Sequence, residues 1–197
     1  VWFCDLKGFT RLSEEAPEEK MVSALNQFFD VVGFAIEENG GEILKLVGDA
    51  VLAVFTYETT EDEADASRRA IHAGRRCLEL LAEVNANRSS KGEASLRCSI
   101  GLHSGEVVYG NIGTETRLDF TIIGRTVNLA SRVERLCGAL DASILFTQAV
   151  ARHFEGELIH RGTHTVKGIG DPVEVFGLAV EAACTPRHAD GTPMVEG

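Results

Sequence analysis

Short apolar runs and longer amphipathic stretches alternate along the chain, and these patterns predict strands and helices respectively. Apolar runs predict strands at residues 1–5, 42–55 (as a pair), 95–103, 106–112, 117–123 and 143–146, followed by a terminal pair. Amphipathic spacing predicts helices at about residues 18–38, 61–86, 126–137 and 147–153. The order indicates an α+β fold with a ferredoxin-like βαββαβ core and additional C-terminal strands and helices.

The predicted pair of strands at residues 42–55 carries an acidic residue at its tip. Gly48 and Asp49 separate two apolar runs, and this dipeptide is typical of a tight hairpin turn. A carboxylate on a short turn is held more rigidly than one on a long loop, so it can hold a metal ion. Lys45, four residues earlier, is expected nearby on the first strand of the pair.

The first apolar run of the chain, VWFC, also ends in a carboxylate, Asp5. Two carboxylates at strand ends can share one or two Mg²⁺ ions, which prefer oxygen ligands and commonly bind substrate phosphates as well. Taken singly, Asp5 and Asp49 are equally well explained as ordinary turn residues, because aspartate is favoured in turns.

A third segment, TIIGRTVNLASR at residues 121–132, indicates a strand that ends at Gly124 and a helix that follows it. Asn128 and Arg132 are four residues apart and therefore share one helix face, which can point into a cleft. The opposite, buried face is predicted to consist of Val127, Ala130, Val133 and Cys137. On its own, such a polar pair is more often part of a solvated helix surface.

Taken together, FCDLKGFT, KLVGD, TVNLASR and VKGIG resemble, in order and spacing, the class III nucleotidyl cyclase catalytic domain, which makes cyclic AMP or cyclic GMP. The resemblance covers residues 1 to about 178. It implies that Asp5 and Asp49 bind two metal ions, Mg²⁺ or Mn²⁺, with the backbone carbonyl of Leu6 as a further ligand. One ion would activate the ribose 3′-hydroxyl, and the other would hold the triphosphate.

The resemblance also implies roles for residues that contact the substrate. Asn128 matches the asparagine that orients the ribose, and Arg132 matches the arginine that stabilises charge on the α-phosphoryl group. Lys167, in VKGIG, matches the lysine that binds the terminal phosphates. Backbone N–H groups at a helix start after Asp5 are also expected to contact phosphate, although glycine is just as common in plain turns; these residues are Gly8, Phe9 and Thr10.

Two positions are expected to select the base. Lys45 matches the lysine that reads the purine edge, and Thr121 stands where many adenylyl cyclases have aspartate. A hydroxyl can accept from the adenine amino group while lysine donates to N1. Guanylyl members typically carry glutamate at the lysine position, so ATP is predicted over GTP. Because threonine both donates and accepts, a guanylate or mixed-specificity cyclase stays open, and Thr121 also resembles the bicarbonate-responsive subgroup.

The family's active site forms across a dimer interface, with contacts divided between the two subunits. One chain here carries the metal pair, the base-reading pair and the Asn, Arg and Lys set, which predicts a head-to-tail homodimer with two equivalent sites. The alternative outside the enzymes is a nucleotide-binding regulatory module without turnover. The presence of Asp5, Asp49, Asn128 and Arg132 counts against it, because a pure binder need not keep such residues.

Composition is consistent with one catalytic domain at residues 1–180 and a tail at 181–197 that lacks apolar periodicity. The chain has 197 residues, 44% of them hydrophobic, which suffices for one core. Its net charge of −11 argues against a nucleic-acid partner. No apolar run approaches the ~20 residues that span a bilayer.

The cysteines and the start of the chain add two expectations. Five cysteines without a CxxC pair indicate reduced thiols and a cytoplasmic location. Val1 already lies within a predicted strand, with no initiator methionine or signal peptide before it. The sequence is therefore expected to be a catalytic fragment with an upstream regulatory domain.

Overall fold

A computed structural model describes residues 1–114 and 117–179 of the chain. The strands are β1 (Trp2–Leu6), β2 (Glu42–Val47), β3 (Ala50–Val54), β4 (Cys98–Leu102), β5 (Val108–Thr114), β6 (Arg117–Ile123), β7 (Ile144–Thr147), β8 (Leu158–His164) and β9 (Val173–Leu178). The helices are α1 (Phe9–Glu15), α2 (Glu18–Glu38), α3 (Thr60–Ser90), α4 (Arg125–Ala139) and α5 (Gln148–Ala151).

Seven strands form one sheet in the order β2-β3-β1-β4-β7-β9-β8, and β5 and β6 form a separate hairpin. Within the large sheet β4 and β7 are parallel, and the other neighbouring strands are antiparallel. The elements β1-α2-β2-β3-α3-β4 with strand order β2-β3-β1-β4 make the ferredoxin-like βαββαβ unit. The predicted α+β fold with additional C-terminal strands and helices is therefore confirmed.

The largest differences from the predicted helices are in α3 and α1, whereas the bounds of α4 and α5 differ by only one or two residues at each end. The third helix begins with a reciprocal capping box, in which the Asp62 amide donates to the Thr59 hydroxyl and the Thr59 amide donates to the Asp62 carboxylate. This pairing satisfies two helix-end donors and starts α3 at Thr60, and the helix continues to Ser90 rather than 86. The short helix α1 was not predicted as an element, although its start lies inside the segment expected to contact phosphate.

One face of the large sheet packs against α2 and α3 and holds the main core. The side chains of β1 alternate across the sheet, so Trp2, Cys4 and Leu6 all join this core. Phe28 of α2 and Leu78 of α3 meet them there, and both are fully buried.

The opposite face carries α4 and the β5–β6 hairpin. Leu129 and Val133 of α4 pack with Leu145 of β7 in a second apolar cluster. In a third cluster, Ile122 of the hairpin packs on Leu52 of β3. Because Asp5 alternates with the core residues of β1, it lies on this same face.

Several compositional expectations fall on described residues. The side chains of Cys4, Cys77, Cys98 and Cys137 are all buried. The fifth cysteine, Cys184, and the predicted tail at 181–197 lie outside the described residues. Across residues 1–114 and 117–179, none of the helices has the length and apolar character needed to cross a membrane.

Candidate active site

Asp5 and Asp49 are brought side by side by the pairing of β1 with β3. Asp5 lies opposite Ala50, the residue that follows Asp49. The amide of Leu6 donates to the carbonyl oxygen of Asp49 at 3.3 Å. Gly48 has a φ of 63° in the two-residue turn, a conformation that glycine adopts without steric cost. The predicted hairpin with a carboxylate at its tip is present.

The carboxylate of Asp5 is electrostatically unfavourable in the absence of a cation. Burial, followed by the negative charge of Asp49, raises its pKa, while a backbone hydrogen bond at Leu6 and the charge of Arg135 act in the opposite direction. An uncompensated pair of oxygen donors suits a hard divalent cation such as Mg²⁺.

The protein side chains at this pair supply only part of a coordination shell. In the described part of the chain, no group of three or more His, Cys, Asp and Glu side chains is arranged to hold a metal ion. A cation at Asp5 and Asp49 therefore needs further oxygen ligands, of the kind that a backbone carbonyl, water or a substrate phosphate provides. The donor set fits a metal that is shared with a phosphate substrate.

A buried acid on α4, Glu134, was missed in the sequence. It is 5% exposed, and burial together with the charge of Asp5 raises its pKa to about 7, although the Ser99 hydroxyl donates a hydrogen bond to it. The available signal was its spacing, since Glu134 lies four residues after Ala130 on the predicted buried face. The structure thus places a third carboxyl group within electrostatic range of the Asp5–Asp49 pair.

The helix α4 presents Asn128 and Arg132 as expected from their spacing. The side chain of Asn128 is exposed in the first turn, where the backbone N–H of this residue donates to the carbonyl oxygen of Gly124 at 3.3 Å. Arg132 is half-buried one turn later. Three members of the predicted buried face, Ala130, Val133 and Cys137, are fully buried. The fourth, Val127, is only partly buried and packs against the cluster of Leu52 and Ile122.

Arg132 also lies beside the loop that carries Lys167. A Cβ at Gly168 would come within 3.4 Å of the Arg132 guanidinium. Val166 and Ile169 anchor this loop in the cluster beneath α4, and Lys167 between them is exposed. The structure therefore places Arg132 beside the loop of Lys167, although the two residues are 35 positions apart in the sequence.

Lys45 owes its orientation to an irregularity in β2. The register shifts between Ile43, which pairs with Ala53, and Lys45, which pairs with Leu52. The extra residue, Leu44, rotates the following side chains, as a β-bulge does. Lys45 consequently lies on the same sheet face as Leu52, toward the β5–β6 hairpin.

On the hairpin, the carboxylate of Asp119 forms an ion pair with the Lys45 ammonium group. Thr121, the second predicted base-reading residue, follows two positions later and so lies on the same side of β6. Thr121 is half-buried and pairs with Gly110 of β5. The structure brings Lys45 and the strand of Thr121 together, and it adds Asp119, which sequence reasoning did not single out.

The predicted phosphate-contacting segment follows β1 directly. Gly8 has a φ of 74°, and α1 begins at Phe9. The amide of Lys7 donates to the Arg97 carbonyl at 2.8 Å, which fixes the start of this turn. Phe9 packs against the main core, and Thr10 is exposed. The segment therefore lies at the same end of β1 as Asp5.

An exposed apolar patch covers the hairpin and the end of β2. We call this surface the hairpin patch. Its side chains are 44% to 64% exposed and belong to Leu46, Val47, Val108, Tyr109, Leu118, Phe120 and Ile123. Tyr109 and Phe120 make an edge-to-face contact with ring centroids 4.6 Å apart. Tyr109, Leu118 and Phe120 share one face of the hairpin, whereas Val108 and Ile123, which pair with each other, share the other. A concentration of exposed apolar side chains on one small hairpin is typical of an interaction surface.

Comparisons with known proteins agree with this geometry. Residues 1–179 match the family described as the adenylate and guanylate cyclase catalytic domain. An adenylate cyclase of Anabaena cylindrica is 33% identical over 186 residues, which are 89% of this chain and 36% of the relative. The chain thus spans about a third of that relative's length.

Two solved structures are similar over nearly the whole fold. The adenylyl cyclase CyaB from P. aeruginosa superposes with a TM-score of 0.83 at 30% identity, covering 92% of this chain and 93% of that one. The guanylyl cyclase Cya2 superposes with a TM-score of 0.78 at 31% identity, covering 93% and 92%. The similarity extends to enzymes of both specificities, so the base must be argued from the residues that would read it.

Proposed function

Since the chain belongs to the adenylate and guanylate cyclase catalytic domain family, we propose that it converts ATP to 3′,5′-cyclic AMP and pyrophosphate. The observation that carries the proposal is the contact between the Leu6 amide and the Asp49 carbonyl. It holds Asp5, on β1, beside Asp49, in the turn between β2 and β3, where their negative charges repel each other. Such a pair is suited to a metal-dependent reaction at a triphosphate.

Asp5 and Asp49 would hold Mg²⁺ or Mn²⁺, with the Leu6 carbonyl as an added ligand. When bound, such ions offset triphosphate charge and lower the pKa of the attacking 3′-hydroxyl. The chain itself supplies no nucleophile in this proposal, because the ribose hydroxyl attacks the α-phosphorus and pyrophosphate leaves.

Arg132, Asn128 and Lys167 would bind the rest of the nucleotide. The planar guanidinium of Arg132 offers paired donors that suit phosphoryl oxygens, and its place beside Gly168 aligns it with the loop of Lys167. Lys167 would contact the terminal phosphates, Asn128 the ribose, and the turn of Gly8 to Thr10 the phosphates from the β1 side. These contacts act by positioning and fixed electrostatics.

The preference for ATP follows from Lys45 and Thr121. Adenine presents an acceptor at N1 and a donor at its amino group, so the Lys45 ammonium donates to the first and the Thr121 hydroxyl accepts from the second. Guanine presents N–H at N1 and a carbonyl at C6. Thr121 can donate to that carbonyl, which makes GTP the alternative substrate.

The hairpin patch supports a homodimer. A second copy that covers the patch would remove its apolar side chains from water, and a shared interface would supply each site with residues of both subunits.

Bicarbonate remains a proposed activator on the strength of Thr121 alone. It is tested by the rate at constant pH with and without bicarbonate.

The deciding experiment measures cyclic AMP from ATP and cyclic GMP from GTP, with Mg²⁺ and with Mn²⁺, for the native chain and for Asp49→Asn. We expect cyclic AMP from the native chain and a loss of at least about a hundredfold in the variant. Equal cyclic GMP production would contradict the proposed specificity. Absence of both products from a sample shown to be dimeric would favour the non-catalytic module.

A further inference from the structure

The ion pair between Lys45 and Asp119 joins two strands that share no backbone pairing. Lys45 lies on the edge strand β2 of the large sheet, whereas Asp119 lies on β6 of the separate hairpin. Their side chains are 39% and 48% exposed. Ion pairs this exposed contribute about 0–1 kcal/mol to stability because water screens them. Stability alone therefore gives little reason for this contact.

A second contact holds the hairpin against the same strand. The Tyr109 hydroxyl donates to the Glu42 carboxylate at 3.3 Å, and the Tyr109 ring packs edge-to-face on Phe120, the neighbour of Asp119. The bulge at Leu44 allows Glu42 and Lys45 to face the hairpin together, since both pair with β3 residues, Val54 and Leu52, that pack against the hairpin residue Ile122. Asp119 is thus held over Lys45 by the docking of the whole hairpin.

A lysine by itself distinguishes adenine from guanine poorly. Its ammonium group has three rotatable donors on a flexible stem and no acceptor. It can donate to N1 of adenine, or it can swing to the C6 carbonyl of guanine. Selection for adenine requires that the ammonium group stay at the N1 position, where guanine presents its own N–H donor and two donors would face each other.

We propose that Asp119 determines base specificity by holding the Lys45 ammonium group at the N1 position. This inference rests on the proposed cyclase function. The Asp119 carboxylate accepts one of the three ammonium donors and so limits the directions of the other two. Asp119 and Thr121 are two residues apart on one side of β6, about 7 Å along the strand. The anchored donor and the hydroxyl acceptor therefore lie beside each other, as the adenine edge requires.

The test compares kcat/KM for ATP and for GTP in the native chain, Asp119→Asn and Asp119→Ala. We expect the ATP-to-GTP ratio to fall about tenfold, the effect of one charge-assisted hydrogen bond. The fall should come from a higher KM for ATP and a lower KM for GTP, with kcat for ATP changed by less than about threefold. If Asp119 only supported the hairpin, its substitution would lower kcat/KM for ATP and for GTP by the same factor.

The matched control is Glu42→Gln, on the same strand and the same sheet face. It weakens the Tyr109 contact without touching Lys45, so the ATP-to-GTP ratio should stay within about twofold of native. An unchanged ratio in Asp119→Asn would overturn the inference. A raised ratio would also overturn it, because it would mean that the carboxylate accepts from guanine N1–H.

A binding measurement separates this inference from the failure of the proposed function. ATP and GTP compete with methylanthraniloyl-ATP for the native chain and for Asp119→Asn, and the ratio of their Kd values is compared. If the native chain binds ATP without turnover, the cyclase proposal fails. A tenfold fall in the ratio of the GTP Kd to the ATP Kd in Asp119→Asn would still support the role of Asp119. If it binds neither nucleotide, both proposals fail.

Discussion

Gly101 of β4 and Glu134 of α4 meet backbone to backbone. A Cβ on Gly101 would lie 2.4 Å from the Glu134 amide nitrogen and 2.4 Å from the Ala130 carbonyl oxygen. The absence of a side chain at Gly101 therefore lets α4 lie directly on the sheet. Because Asn128 and Arg132 project from this helix, Gly101 also sets where they stand relative to the sheet.

The first prediction concerns Gly101→Ala. The added methyl group meets backbone atoms, which cannot rotate away, so α4 must move. We expect a loss of about 1–3 kcal/mol in the free energy of unfolding, as is usual for overpacking, and lower cyclase activity because Arg132 is displaced. Urea unfolding followed by the fluorescence of the single tryptophan, Trp2, measures the first effect.

Gly138→Ala is the matched control on the same helix. Apart from its chain neighbours and the adjacent backbone of α4, no atom lies within 4 Å of a Cβ at Gly138, and alanine is a better helix former than glycine by about 1 kcal/mol. The control should be as stable as the native chain or more stable. Equal destabilisation by the two substitutions would mean that the Gly101 contact does not hold α4.

The parts of the fold that could be predicted from sequence depend on local signals. The predicted helix at 18–38 coincides with α2 (Glu18–Glu38) because its apolar spacing is sustained over 21 residues. The turn at Gly48 and Asp49 was also predicted, since its chemistry is contained in two adjacent residues. Both features need no knowledge of distant contacts.

The features that were missed depend on contacts between distant segments. Nothing in the run EILKLV shows that Leu44 is the extra residue of a bulge, because the register is set by the partner strand. The pairing of Lys45 with Asp119 spans 74 positions. Gly101 lies inside the strand predicted at 95–103, but nothing in the sequence shows which segment approaches it. The need for glycine appears only when α4 lies on it.

The second prediction concerns Asp49→Asn and the stability of the metal-free chain. Removing this charge relieves its repulsion with the Asp5 carboxylate. Burial is the largest cause of the raised pKa of Asp5, and the charge of Asp49 is the second. In a chelator at pH 7 the variant should melt higher than the native chain, by a few degrees at most, since about 1 kcal/mol shifts a domain of this size by 2–4 °C.

The same variant should lose the stabilisation that a cation gives. At ten times its Kd a bound ion adds about 1.4 kcal/mol to the native chain. Thermal melts with and without Mn²⁺ should therefore show a clear increase for the native chain and a much smaller one for Asp49→Asn. Equal increases in both proteins would mean that the cation binds elsewhere.

The third prediction concerns the hairpin patch and dimer formation. Phe120→Ser removes a 51%-exposed aromatic side chain of the patch, the one that contacts Tyr109 edge to face. If a second copy covers the patch, the dimer should weaken by about tenfold or more in Kd, because buried aromatic residues dominate interfaces. Sedimentation equilibrium measures this. Ile159→Ser, a 38%-exposed residue on the edge strand β8, is the control and should leave the dimer unchanged.

The last prediction concerns the pH dependence that Glu134 gives to stability. Burial and the charge of Asp5 raise its pKa from 4.5 to about 7. Between these values the folded chain keeps a proton that the unfolded chain has released, so the free energy of unfolding falls as pH rises. The slope approaches 1.36 kcal/mol per pH unit, about 3 kcal/mol in total, and the contribution becomes constant above pH 7.

Glu134→Gln isolates this contribution, because the amide stays neutral and can still accept from the Ser99 hydroxyl. In a chelator, native and variant chains should be about equally stable near pH 4.5, and the variant should be more stable by about 3 kcal/mol at pH 8. Urea unfolding at pH 5, 6, 7 and 8 measures the difference, from which contributions common to both proteins cancel. Glu19→Gln makes the same change of charge on the exposed surface of α2 and should give a profile parallel to native. A parallel profile for Glu134→Gln would mean that this buried carboxyl group titrates as it does in the unfolded chain.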